Sequence, residues 1–137
     1  MKRYLLDTNI LVFLFCDKDY LSDYVLSLFE DMENLFYTNP ICVGEFIHLV
    51  KIGKVKTRKG FNIIDAIDGF GIRVLQQTKI DFIAYANLDT SLDTNRDPND
   101  HQIIAQSIST KIPLISSDRK FSHYVSKGLN LIFNDRG

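Results

Sequence analysis

The strongest constraint on this chain is a repeating alternation: a short apolar run, then an amphipathic stretch of helical period, then another apolar run. "RYLL" (3–6), "NLFYT" (34–38), "IRVL" (72–75), "IPLIS" (112–116) and "LNLIF" (129–133) read as strands. Between them, "TNILVFLF", "YLSDYVLSLFEDM", "NPICVGEFIHLVKIG", "KGFNIIDAIDGFG", "KIDFIAYANLDTSL" and "RDPNDHQIIAQSIST" read as helices, with a short one in "DRKFSHYVSKG". In the second of these, Leu21, Tyr24, Val25, Leu28 and Phe29 fall on one face. Strands that alternate with helices cannot close hairpins. They predict a mostly parallel sheet of about five strands with helices on both faces, a three-layer α/β/α arrangement.

Helix starts are marked clearly. Asn39-Pro40 and Asp97-Pro98 each place a capping side chain before a proline at the first helical position. At 137 residues and 45% hydrophobic, the chain suits one globular domain with a sizeable core. Neither repeats nor linkers divide it, so a single domain over 1–137 is expected. The opening "MKRYLLDTNILVFLFC" imitates a signal peptide, but Asp7 and Asn9 interrupt it and no small-residue cleavage site follows. No stretch approaches the length of a membrane span. Cys16 and Cys42 form no C-x-x-C pair and sit among apolar residues, which fits a reducing cytoplasm.

Acidic residues carry the chemical signal. Asp7 stands at the end of the first strand inside an apolar run, and Asp118 follows the fourth. In parallel sheets, ligands gather at the carboxyl ends of strands. Glu45 shares a helical stripe with Ile41 and Leu49, where an unpaired charge is costly. Asp100 lies one turn before Ile103 and Ile104, at a helix N-terminus that favours its ionised form. Each has a plain alternative: Asp7, Asp97 and Asp118 as helix caps, Asp100 as half of a capping box with Asp97, and Glu45 paired with a buried base. If the four converge, they must protonate, find cations or bind a metal. Oxygen ligands without cysteine or histidine suit Mg²⁺ or Mn²⁺.

The pieces "LLDTNIL", "GEF", "RDPNDHQIIAQS" and "IPLISSDRKF" resemble, in order and spacing, a PIN domain, and more narrowly a VapC-type toxin of bacterial toxin–antitoxin pairs. The resemblance spans essentially the whole chain. It implies an acidic pocket of Asp7, Glu45, Asp100 and Asp118, with Asp97 as a further candidate ligand. Asn9 and Ser116 match small polar positions that orient the cluster, Ser116 standing where the family usually has Thr. His101 stands where arginine is common after D-P-x-D. The implied activity is that of a Mg²⁺- or Mn²⁺-dependent endoribonuclease, cutting RNA with a metal-activated water, held in check by a cognate antitoxin protein, and homodimeric.

Net charge is −1, so bulk charge does not announce a nucleic-acid binder. "KIGKVKTRKG" (51–60) is the densest basic run; it either steers phosphate backbones or is a solvated link between helices. Arg96 and Arg119 flank the acidic residues and are candidates for positioning a phosphate. His48 and His123 lack partners at ligand spacing and read as structural or surface residues. The alternative to a nuclease is an inactive PIN-like module that binds RNA or protein. The presence of all four acids weighs against it. A phosphatase of another α/β fold lacks its D-x-D nucleophile signature here, where the chain has Asp7-Thr8-Asn9.

Overall fold

Five parallel strands form one sheet in the order β3-β2-β1-β4-β5: β1 Arg3–Leu6, β2 Leu35–Thr38, β3 Arg73–Val74, β4 Leu114–Ser116 and β5 Leu131–Phe133. The computed structural model describes residues 2–91, 93–94 and 96–136. Met1, Leu92, Asn95 and Gly137 lie outside the described residues; Met1 and Gly137 end the expected domain, and Leu92 ends the expected helix over 79–92. Leu5 and Leu6 of β1, and Leu114 and Ile115 of β4, are completely buried. Such strands are apolar on both faces because helices cover both.

The helices are α1 Thr8–Cys16, α2 Asp23–Glu30, α3 Pro40–Lys51, α4 Ile63–Phe70, α5 Lys79–Asn87 and α6 Pro98–Thr110. The strand order moves outward from β1 to β3, then returns past β1 to β4 and β5. Right-handed crossovers therefore place α1–α4 on one face and α5, α6 and the segment after β4 on the other. Asn39 caps α3 by accepting the Ile41 N–H at 2.7 Å, and Asp97 caps α6 by accepting the Asn99 N–H at 2.9 Å. Both prolines occupy the first turn, where a missing N–H costs nothing. Gly71, with φ 85°, ends α4 in a left-handed conformation that a side chain disfavours.

Several expectations need correction. β3 is only two residues long; the short helix expected in 118–128 is present as a 3₁₀ helix over Arg119–Lys127. α5 stops at Asn87. On α2, Val25 and Leu28 are buried, but Tyr24 is exposed. Among the described residues no helix is long and apolar enough to cross a membrane.

α3 and α6 are held together by a buried amide contact. The Asn39 side-chain amide donates to Gln106 Oε1 at 2.7 Å, with both residues fully buried. Gln106 Nε2 in turn donates to the Leu75 carbonyl at 3.1 Å. Satisfied amides of this kind fix one register, because a slip would strand buried polar groups.

Candidate functional site

Strand order reverses beside β1, so the crevice between the carboxyl ends of β1 and β4 is the topological switch point where ligands bind in such sheets. The register pairs Leu6 with Ile115, which sets Asp7 beside Ser116. Asp7 is 4% exposed. Its Oδ1 accepts the Thr8 N–H and its Oδ2 accepts the Ser116 hydroxyl, each at 2.8 Å. Burial pushes the Asp7 carboxyl up to about 7; the two hydrogen bonds oppose this, and the negative charges of Asp100 and Glu45 add to it. Burial likewise pushes the Cys42 thiol up, with the Asp7 charge adding to the effect.

Glu45 reaches the crevice from α3. Thr8 Oγ1 donates to its Oε2 at 3.0 Å, and its Oε1 is buried without a hydrogen-bond partner among the described residues. α6 brings Asp97 and Asp100 from its capped end. Glu45, Asp97 and Asp100 each offer a carboxylate oxygen, all within 4.8 Å of one another. At 4.8 Å, two unit charges repel by about 3 kcal/mol at an effective dielectric near 20. That figure suits the half-buried Glu45–Asp100 pair; for exposed Asp97, solvent screening makes it smaller.

The capping and clustering readings therefore coexist. Asp97 caps α6 while it belongs to the carboxylate group, and Asp7 caps α1 while the charges of Asp100 and Glu45 act on it. Asp118 stands differently. It caps the 3₁₀ segment by accepting the Lys120 N–H at 2.9 Å, and its own N–H donates to Ser116 Oγ at 3.1 Å. Ser116 thus joins Asp118 to Asp7, while the tight group is Glu45, Asp97 and Asp100.

Other candidates fall as follows. Asn9 is exposed in the first turn of α1. Arg96 is exposed just before α6, and Arg119 lays its guanidinium 4.9 Å from the centre of the Phe133 ring. His101 turns inward, its Nε2 lying 3.3 Å from Asp93 Oδ2, an oxygen that also accepts the Tyr124 hydroxyl at 2.5 Å. A phosphate contact from the His101 side chain does not fit that orientation. His48 and His123 are exposed.

Thr8 escaped sequence reasoning. A hydroxyl directly after Asp7 was the available signal, but its bond to a residue 37 positions away depends on how α1 meets α3. The Asp93–His101–Tyr124 contact had no local signal.

The profile of the PIN domain family matches residues 4–127. The chain belongs to the PIN domain family. No curated protein is similar to this PIN domain in sequence. Solved structures share its fold: VapBC2 from Rickettsia felis bound to a DNA fragment from the promoter has a TM-score of 0.72 at 20% identity, covering 97% of this chain and 99% of that one. DNA-bound VapBC from Salmonella typhimurium has a TM-score of 0.73 at 18% identity, covering 98% and 100%. VapBC-1 from nontypeable Haemophilus influenzae has a TM-score of 0.70 at 18% identity, covering 96% and 97%.

The residues of this PIN domain fit a hard divalent cation. The donors are all carboxylates, and one, Glu45, carries a buried oxygen without a partner among the described residues. Cysteine and histidine are missing from this group, which argues against a zinc centre.

Proposed function

We propose that this protein, as one PIN domain over residues 1–137, is a Mg²⁺- or Mn²⁺-dependent endoribonuclease and the toxin of a toxin–antitoxin pair. The observation that carries the reading is the meeting of Glu45, Asp97 and Asp100 beside the switch point, with Glu45 Oε1 buried and without a partner among the described residues and the buried Asp7 feeling the charges of Asp100 and Glu45. Membership of the PIN family and the fold shared with VapBC assemblies support a nuclease with an antitoxin partner. A homodimer and a cytoplasmic setting follow from the same reading.

Glu45, Asp97 and Asp100 would hold the cation together with Asp7, and Asp118 would support the site through the Ser116 hydroxyl that its N–H and Asp7 share. A divalent ion held there would supply Lewis-acid chemistry, lowering the pKa of a water so that hydroxide is available to attack the phosphate. The protein's own groups set the geometry. Thr8 N–H and the Ser116 hydroxyl fix both oxygens of Asp7, so the carboxylate cannot rotate away. The Thr8 hydroxyl holds Glu45 Oε2 and leaves Oε1 to orient the attacking water. The exposed Asn9 in the first turn of α1 and the exposed Arg96 just before α6 are the polar side chains this reading assigns to the substrate, Arg96 to the phosphate backbone; Arg119, stacked on Phe133, would have to leave that ring to join it.

Induced expression in bacteria tests the proposal. Wild-type protein should arrest growth and leave mapped breaks in RNA, and Asp7→Asn or Asp118→Asn should restore growth. Undiminished toxicity in both variants would remove these acids from the reaction.

A further inference from the structure

A shallow groove of about 360 Å³ lies between α3 and the first turn of α6, lined by Ile41, Gly44, Glu45, His48 and Asn99. It opens directly off the carboxylate group, since Glu45 belongs to both. Residues 41, 44, 45 and 48 follow helical spacing along one ridge of α3, and Lys51 continues it one turn further on. The rise from Glu45 to Lys51 is about 9 Å. Across that distance the charge changes from negative to positive, and the exposed Lys54 and Lys56 extend the positive end.

Gly44 is the informative residue. Glycine is disfavoured inside a helix relative to alanine. Here the backbone is not left-handed, and a Cβ added at Gly44 would meet nothing within 4 Å. Nothing inside the fold requires glycine at this position. What a side chain would fill is the floor of the groove next to Glu45. A flat, partly apolar floor of Ile41 and Gly44 suits the face of a base. The side chains of exposed His48 and half-buried Asn99 make no hydrogen bond to other described residues, which leaves them available to the edge of a base or a ribose.

We infer that this groove seats the nucleotide next to the scissile phosphate of a single-stranded RNA, its sugar and base lying across Gly44 between His48 and Asn99. The inference rests on the nuclease reading and adds to it which residues hold the substrate. The RNA backbone then runs from the carboxylates along α3 toward Lys51 and Lys54, so cations offset the repulsion of the acidic end.

The test compares wild type, Gly44→Ala, Gly44→Leu and His48→Ala, using a short, mixed-sequence, fluorescein-labelled 2′-O-methyl RNA in Mn²⁺. Gly44→Leu should bind this probe about tenfold more weakly, the size of one lost base contact, and Gly44→Ala should lose less. Both should titrate Mn²⁺ as wild type does and melt no lower than wild type, because helix propensity improves. If leucine lowers the melting temperature, His48→Ala carries the test, with RNA binding weakened about threefold at unchanged melting. RNA affinity equal to wild type in Gly44→Leu and His48→Ala, with Mn²⁺ bound, overturns the groove and leaves the nuclease reading standing. A wild-type protein that binds no Mn²⁺ overturns the nuclease reading and the groove with it.

Discussion

Replacing Asp7 by asparagine should stabilise the metal-free protein at neutral pH and flatten its pH dependence. Asp7 is 4% exposed, and its carboxyl is raised from an unfolded value of 3.8 to about 7. A carboxyl raised on folding binds its proton more tightly in the native state. Its contribution to stability is complete below 3.8 and is lost as the pH climbs to about 7. The gap corresponds to about 4 kcal/mol of stability lost across that window. Asparagine removes the titration but keeps an oxygen for the Thr8 N–H, and the Ser116 hydroxyl can turn to accept from its amide. Allowing about 1 kcal/mol for imperfect hydrogen bonding, Asp7→Asn should be more stable than wild type by about 2–3 kcal/mol at about pH 8. At about pH 4 the advantage should vanish. Urea unfolding in chelator across this pH range measures the difference directly. A wild-type protein no less stable at the alkaline end, or an asparagine variant with the same slope, would refute the buried, charge-crowded carboxylate.

The other expectations concern the metal, its support and the basic run. Mg²⁺ or Mn²⁺ at about a hundred times its dissociation constant should stabilise wild type by about 2.7 kcal/mol and Asp7→Asn by far less, as read from melting curves. Thr8→Val deletes only the hydroxyl that holds Glu45 Oε2, so Mn²⁺ affinity should fall about tenfold while the chelated protein unfolds within about 1 kcal/mol of wild type. Neutralising Lys54, Lys56 and Arg58 together should weaken RNA binding and reduce the salt slope by about two charges' worth. An unchanged slope would return that run to a solvated link.

How much of this was legible in sequence depended on whether the cause was local. Alternating periods gave the parallel sheet, and the Asn-Pro and Asp-Pro pairs marked where α3 and α6 begin, because capping and proline geometry act within one turn. β3, an edge strand, pairs with β2 only over Arg73 and Val74. Glu45 was expected on the core stripe with Ile41 and Leu49, yet the buried face of α3 is Cys42, Val43 and Phe46. Glu45 is half-buried on the flank, where it meets α6. That offset depends on how far α3 rotates against the sheet, which no single segment encodes. Asp97 looked first like a cap, and its place beside Glu45 follows from the packing of two helices distant in sequence. Arg119 was a candidate for a phosphate contact; its stacking on Phe133 depends on the strand that follows.

A crystal grown with Mn²⁺ and recorded for anomalous scattering addresses the claim on which the rest depends. The account predicts an anomalous peak in the crevice between β1 and β4, within bonding distance of oxygens from Asp7, Glu45 and Asp100, and its loss in Glu45→Gln. A crevice filled instead by an arginine or lysine side chain, with the ion elsewhere or nowhere, would contradict it.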